Sequence, residues 1–103
     1  DGSTAAIMAL GGKGVISVAA NVVPREMHEL TQLCLENRFL EAGALQLKLH
    51  ELIRALFCEV NPIPVKTTME LLGLCSGELP LCRMSERHLE QLSHALEPFR
   101  PAV

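Results

Sequence analysis

One run of the sequence, residues 14–22, limits the folds open to this chain more than any other segment. It reads Gly-Val-Ile-Ser-Val-Ala-Ala-Asn-Val, carries no charge and is rich in β-branched residues. Because both of its faces are apolar, it predicts a strand buried in a parallel sheet rather than a half-exposed antiparallel one. A parallel strand needs neighbours, and the sequence contains no second convincing strand. We therefore expect the chain to be part of a larger α/β protein, and its abrupt start at Asp1 suggests a cut fragment.

Helical patterns occupy most of the remaining chain. Apolar residues recur at three- and four-residue spacings, and proline, serine and glycine stand where helices start and stop. Residues 58–63 are expected to be an ordered non-helical crossing, because a residue that precedes proline favours extended geometry, and residues 74–84 are expected to form a loop. A strand-helix unit followed by a helical tail is typical of the last strand and C-terminal extension of an open sheet or barrel. The predicted helices cover residues 3–10, 24–36, 38–57, 64–72 and 85–97.

Composition excludes several classes of partner. The 103 residues carry a formal net charge of −3, which leaves no basic surface for nucleic acid or for an anionic membrane. The longest uncharged apolar stretch is too short to cross a bilayer. A hydrophobic content of 49% is high for so small a free-standing domain, and it is expected of a chain that buries surface against neighbours.

The four cysteines lack the spacing of a zinc site. Cys34 and Cys58 fall on apolar helical stripes and are expected to be buried free thiols, which suits a reducing, cytoplasmic compartment. Cys75 and Cys82 flank a loop that contains glycine and proline, and a disulfide between them is left open.

No residue of this chain is predicted to be catalytic. A lysine that forms an imine must project from a barrel strand into a dry pocket. Lys13 precedes the predicted strand, whereas Lys48 and Lys66 lie on predicted helices. The four histidines also fall on helices, and no two of them form a metal-binding face.

The predicted strand is the best candidate for a site. Alternation places Ile16 and Val18 inward, since barrel interiors favour bulky branched residues, and it places Val15, Ser17 and Ala19 outward. The strand's C-terminal end would then approach the barrel mouth, where ligands bind. Plain core packing is the alternative role for both inward residues.

Two motifs resemble one enzyme family. Residues 11–22, GGKGVISVAANV, and residues 55–66, ALFCEVNPIPVK, are similar to the dihydrodipicolinate synthase family, and residues 70–74, ELLGL, also fit. Either long motif alone would indicate only the wider lyase superfamily, which includes sialic-acid and sugar-acid aldolases. The resemblance implies an α/β fold in which residues 1–37 form the end of a (β/α)8 TIM barrel, including strand eight. Residues 38–103 would form a three-helix C-terminal extension.

The resemblance also implies an activity. The family's reaction is a Schiff-base condensation of pyruvate with aspartate 4-semialdehyde in lysine and diaminopimelate biosynthesis. The imine lysine would lie in the missing N-terminal barrel portion, and no metal or organic cofactor is implied. Ile16 matches a pyruvate-pocket position that acts largely through its main chain. Val18 and Asn61 are further substrate-binding candidates, Asn61 because its motif lies near the barrel mouth.

A homotetramer is the assembly that the resemblance implies. The helix over residues 3–10 resembles a surface used between dimers, so that its apolar stripe, Ile7 to Leu10, would be an interface. Packing of this stripe on its own barrel is the alternative.

The sequence departs from the family pattern in three places. Ala19 or Ala20 stands where the family usually has threonine, Thr67 replaces a frequent aromatic residue, and residues 81–84 replace a proline-rich segment. These departures bear on the substrate more than on the fold, so a related pyruvate-dependent aldolase with another aldehyde acceptor stays open. A non-enzymatic helical interaction module, built on the predicted helices between residues 24 and 57, is the second alternative.

Overall fold

Five α-helices and two short 3-10 turns make up the regular structure of the described residues. The structure is a computed structural model that describes residues 1–76 and 83–100. The helices are α1 (Thr4–Ala9), α2 (Pro24–Leu35), α3 (Phe39–Leu56), α4 (Ile63–Leu71) and α5 (Glu86–Leu96), and the 3-10 turns are Ala19–Asn21 and Glu97–Phe99. All five predicted helices are therefore confirmed to within one or two residues at each end.

Three helices end in the same backbone motif. Gly11, Asn37 and Gly73 follow α1, α2 and α4 with φ angles of 111°, 60° and 74°. After α2, the N–H of Arg38 donates to the carbonyl of Leu33 at 2.9 Å, and the corresponding bonds close the other two ends. This is the Schellman arrangement, which needs a left-handed residue just beyond the helix and therefore selects glycine or asparagine there. The sequence predicts helix stops at Gly11, Asn37 and Gly73, and the structure confirms all three.

The core lies between α2, α3 and α5, with α1 packed against the first two. Each helix buries the stripe that its spacing predicts, because residues three and four apart share one face. The buried apolar residues of these three helices are Met27, Leu30, Leu33 and Cys34; Ala42, Leu49, Leu52, Ile53, Ala55 and Leu56; and Leu92, Ala95 and Leu96. The α2–α3 hairpin and α5 thus form one continuous apolar layer.

The predicted strand over residues 14–22 is wrong. Residues 12–17 have no regular structure, residues 19–21 form a 3-10 turn, and no strand occurs in residues 1–76 or 83–100. An extended segment becomes a strand only when another strand pairs with its backbone, and the described residues supply no such partner. The second half of the segment instead forms a turn with its own hydrogen bonds, in which the N–H of Val22 donates to the carbonyl of Ala19 at 2.9 Å.

Helix α1 exposes most of its apolar stripe. Met8 is buried, but Ile7 is half-exposed and Leu10 is 90% exposed. Within the described residues the stripe therefore covers little of its own core, which leaves its predicted role as an interface open.

The loop predicted over residues 74–84 falls only partly within the described residues. Cys75 is exposed, and Cys82 lies outside the described residues, as does the question of a Cys75–Cys82 disulfide. None of the helices in the described ranges is long and apolar enough to cross a bilayer.

Candidate functional site

The segment 14–17 has no regular secondary structure and carries the residue that the sequence singles out. Val15 and Ser17 line a groove against α2, and the side chain of Ile16 is fully exposed. The alternation expected of a strand thus holds over these residues, with Ile16 on the face away from α2. It ends at Val18, where the chain enters the 3-10 turn and Ala19 becomes completely buried.

The groove between this segment and α2 has a volume of about 380 Å³. Its α2 side includes Met27, His28 and Thr31, and its other side includes Lys13. The lining is mostly apolar or backbone, and the hydroxyl of Thr31 already donates to helical carbonyls at 2.9 and 3.2 Å. Such a groove offers packing surface rather than chemistry.

The carboxylate of Asp1 fixes the turn that follows the extended segment. Its Oδ2 atom accepts the backbone N–H of Val18 at 3.0 Å and that of Ala19 at 2.9 Å. The Ser17 hydroxyl accepts the N–H of Ala20 at 2.9 Å from the other side. These are the first N–H groups of the turn, which have no carbonyl partner within it, so the two side chains act as its caps.

Gln46 connects the same residue to the long helix α3. Its Nε2 donates to the carbonyl of Asp1 at 3.1 Å, and its Oε1 accepts the N–H of Ala5 at 3.1 Å. The hydroxyl of Thr4 adds a bond of 2.9 Å to the carbonyl of Asp1. The start of α1, the 3-10 turn and α3 are therefore held at one point.

Asn61 lies on the crossing between α3 and α4, and its side chain is exposed. It precedes Pro62 through a cis peptide bond. Helix α4, which follows this crossing, packs against the 3-10 turn Ala19–Asn21. No hydrogen bond in the described ranges joins Asn61 to Ile16 or Val18, so the two motifs approach each other through α4 and the turn.

Glu59 gathers three hydrogen bonds on the same crossing. Its Oε2 atom accepts the N–H and the hydroxyl of Ser85, each at 3.1 Å, and it lies 2.8 Å from Nδ1 of His88. The Ser85 hydroxyl also accepts the N–H of His88, which confirms Ser85 as the predicted cap of α5. The histidine ring contacts the carboxylate rather than the hydroxyl, so the cluster lacks the nucleophile-to-base contact of a hydrolase.

The electrostatics of Glu59 reflect this cluster. Partial burial is the largest single effect and raises the pKa of the carboxyl group, but the bonds from His88 and Ser85 together outweigh it. The pKa of Glu59 is therefore lowered, and the ionised form is favoured. This carboxylate anchors α5 to the crossing.

The other ionisable residues form no site within the described ranges. Lys13 and Lys48 are exposed, and Lys66 is half-buried in the first turn of α4. No group of three or more histidine, cysteine or carboxylate side chains converges for a metal ion in residues 1–76 and 83–100.

Sequence reasoning missed Asp1, Gln46 and Glu59 as structural anchors. For Asp1 the sequence indicates only an acidic residue that suits the positive end of the α1 dipole. Ser85 was the one sequence signal for the anchor at Glu59. It marks the start of α5, and the free N–H groups at a helix start favour a nearby carboxylate. Ile16, Val18 and Asn61 remain predictions as substrate-binding residues.

The chain belongs to the dihydrodipicolinate synthetase family, whose model matches residues 1–98. It is 50% identical over 99 residues to the 4-hydroxy-tetrahydrodipicolinate synthase of Methanocaldococcus jannaschii, a match that covers 94% of this chain and 34% of that protein. The chain therefore spans about a third of the length of the curated relatives it matches.

Solved structures agree with this assignment. The dihydrodipicolinate synthase of Aquifex aeolicus superposes with a TM-score of 0.91 at 47% identity, over 95% of this chain and 34% of that one. The chloride-inhibited dihydrodipicolinate synthase of Acinetobacter baumannii, solved in complex with pyruvate, superposes with a TM-score of 0.87 at 38% identity, over 93% and 34% of the two chains. The described helices are thus arranged as in part of these enzymes.

Proposed function

We propose that this chain acts as part of a Schiff-base lyase that condenses pyruvate with aspartate 4-semialdehyde. One observation carries the proposal. Nearly the whole chain matches about a third of the length of each of several enzymes named 4-hydroxy-tetrahydrodipicolinate synthase, at up to 50% identity among those compared. The reaction belongs to lysine and diaminopimelate biosynthesis.

The proposed architecture is the end of a (β/α)8 TIM barrel over residues 1–37 and a three-helix extension over residues 38–103. Residues 14–17 would pair with barrel strands supplied by the rest of the protein. The full exposure of Ile16 supports this pairing, because an isoleucine gains about 1.5–3 kcal/mol when it is buried. A neighbouring strand would also satisfy backbone groups that have no partner in the described residues.

In the proposed reaction a lysine outside these residues attacks the keto carbon of pyruvate and releases water to form an imine. Loss of a methyl proton then gives an enamine, whose carbon attacks the aldehyde carbon of the acceptor while the aldehyde oxygen takes up a proton. The amino group of the acceptor then attacks the imine carbon and displaces the lysine amine as the product cyclises. The protonated imine takes up the electron pair of the broken C–H bond, so the step requires neither a metal nor an organic cofactor.

This chain would contribute to the pocket rather than to the chemistry. We propose that the main chain at Ile16 lines the pyruvate pocket, with Val18 beside it and Asn61 near the barrel mouth. Backbone groups suit this role, because an extended segment presents N–H and C=O groups at fixed positions to a small carboxylate ligand.

The proposed assembly is a homotetramer in which α1 forms a contact between dimers. The exposure of Ile7 on α1 and of Leu10 directly after it supports this contact, since clustered exposed apolar residues mark interaction surfaces. A cytoplasmic location is proposed from the buried thiol of Cys34, which suits a reducing compartment.

The deciding experiment measures the mass of the whole protein after treatment with pyruvate and borohydride. We expect one reduced pyruvate adduct, mapped by peptide analysis to a lysine outside residues 1–103. Borohydride without pyruvate is the control. Absence of the adduct would overturn the lyase proposal and favour the helical interaction module.

Acceptor specificity is tested separately. Turnover with aspartate 4-semialdehyde should exceed turnover with other small aldehydes at equal concentration, with product formation followed by mass spectrometry. A pyruvate adduct together with a preference for another aldehyde would identify a related pyruvate-dependent aldolase instead.

A further inference from the structure

We infer that Asp1 is a positioning residue for the proposed reaction, and that it holds the segment that carries Ile16 in place through the turn at residues 18–19. The inference rests on the proposed function and adds to it a residue that contacts no substrate. It also assigns a role to Gln46, which acts through Asp1.

The position of the extended segment is set at its two ends. At one end, the N–H of Gly12 donates to the carbonyl of Ile7 at 3.0 Å. At the other end, the carboxylate of Asp1 accepts the N–H groups of Val18 and Ala19 at 3.0 and 2.9 Å. Residues 13–16 make no hydrogen bond between these points within the described residues.

The end held by Asp1 is nearer to Ile16 in the sequence than the end held by Ile7. The Val18 N–H belongs to a peptide unit only two residues beyond Ile16, so its direction determines where the preceding main chain points. A carboxylate that accepts two successive N–H groups makes charge-assisted bonds, which are stronger than bonds to a neutral oxygen. Removing it frees the turn to rotate and displaces the main chain at Ile16.

Gln46 links Asp1 to α3, the first helix of the proposed C-terminal extension. Its amide bonds the carbonyl of Asp1 and the N–H of Ala5, so α3 determines where the Asp1 backbone lies. Gln46 makes no bond to the turn itself. Its effect on the turn therefore passes through Asp1, whereas its bond to Ala5 supports α1.

The second oxygen of Asp1 suggests the most informative substitution. Oδ1 is buried, and no donor among the described residues reaches it. Asp1→Asn keeps one oxygen for the two N–H groups and removes the charge, whereas Asp1→Ala removes both acceptors. The two variants therefore separate the contribution of the negative charge from that of the hydrogen bonds.

The test uses the whole protein and measures steady-state kinetics and the rate at which borohydride traps the pyruvate adduct. We expect Asp1→Ala to lower kcat/KM for pyruvate about 100-fold, as a misplacement of roughly 1 Å does, and Asp1→Asn to recover part of this loss. Gln46→Met should lower it about tenfold, because the anchor is loosened rather than removed. The double variant Asp1→Ala with Gln46→Met should be no worse than Asp1→Ala alone, since residues that act in series are not additive.

Matched controls are Gln32→Met on the exposed face of α2 and Glu90→Ala on the exposed face of α5, which should leave kcat/KM unchanged. Hydrogen exchange provides a second readout if Asp1→Ala is unstable. The amides of residues 18–19 should lose part of their protection in Asp1→Asn, because bonds to a neutral oxygen are weaker than charge-assisted ones, while those of α2 and α3 keep it.

The failures of the two proposals are distinguishable. A wild-type protein that forms no pyruvate adduct overturns the proposed function and this inference together. A wild-type protein that forms the adduct, with Asp1→Ala equal to it in kcat/KM, overturns the inference alone. The losses of kcat/KM in Asp1→Ala and Gln46→Met could instead add up in the double variant, with KM for pyruvate unchanged. That result would mean that both residues only stabilise the fold, and it would also overturn the inference.

Discussion

The carboxylate of Glu59 lies 2.8 Å from Nδ1 of His88 and ties the crossing between α3 and α4 to the first turn of α5. The same oxygen accepts two hydrogen bonds from Ser85, the cap of α5. One side chain thus satisfies the start of a helix that lies 26 to 29 residues further along the chain. Because α5 also buries Leu92 and Leu96 against the core, this contact sets how the last helix docks.

Substitution of Glu59 by glutamine should make the unfolding free energy of the protein depend less on pH in the acid range. The pKa of Glu59 is lowered below its ordinary value of 4.5 in the folded state. The unfolded chain therefore binds this proton more readily, and the stabilisation is complete above pH 4.5 and is lost as the pH falls through the lowered pKa. Denaturant unfolding of both proteins between about pH 7 and about pH 3 measures it.

The control for this titration is Glu90→Gln, which removes an exposed carboxylate from the same helix, α5. Its pH profile should follow that of the wild type. A difference between wild type and Glu59→Gln that stays constant across the acid range would contradict the expected linkage.

Truncation of Leu49 should destabilise the protein strongly. Leu49 is completely buried in α3, and Leu47 on the same helix is 75% exposed. Leu49→Ala should cost about 2–5 kcal/mol of unfolding free energy, because it removes buried methyl groups and leaves a cavity. Leu47→Ala should change it by less than about 0.5 kcal/mol. Equal effects of the two substitutions in urea unfolding would show that α3 is packed differently.

Alanine should have opposite effects at two glycines. Gly73 has a φ angle of 74°, a backbone conformation that costs an alanine roughly 1–2 kcal/mol. Gly43 lies inside α3 with open space around an added Cβ, where alanine is favoured by about 0.5–1 kcal/mol. Thermal unfolding should therefore show a lower Tm for Gly73→Ala and a higher Tm for Gly43→Ala. A rise in Tm for Gly73→Ala would argue against the Schellman end of α4.

Alkylation should distinguish the thiols by burial. Burial raises the pKa of the Cys34 thiol, and the same effect, together with the negative charge of Glu59, raises the pKa of Cys58. Cys75 is exposed. Because the thiolate is the reactive form, iodoacetamide should modify Cys75 first and Cys34 last. Peptide mass spectrometry over time gives the order, and denatured protein, in which the order should vanish, is the control.

The helices and their ends could be predicted because they depend on neighbouring residues. Pro24 at the start of α2, Asn37 after it and Ser85 before α5 act within a few residues of their positions. The buried stripes follow the helical repeat for the same reason. Both resemblance motifs are also contiguous, so the family could be read without any long-range contact.

The strand could not be predicted correctly because pairing is not a local property. The side chains of residues 15–17 alternate as in a strand, but the partners that would make a strand of them are not in the described chain. Residues 18–22 form a turn because Asp1, 17 residues from Val18, accepts its N–H. No periodicity within the segment contains that information.

The sequence by itself determined where the helices lie, which of their faces are apolar and to which family the chain belongs, because propensity, capping and periodicity act over one or two turns. Only the tertiary structure decided that Asp1 caps the turn beside Ile16, that Gln46 holds Asp1 from 45 residues away, and that Glu59 receives His88 and Ser85. These bonds join distant parts of the chain, and they form only after the apolar faces of α2, α3 and α5 have packed and brought the polar groups within reach of one another.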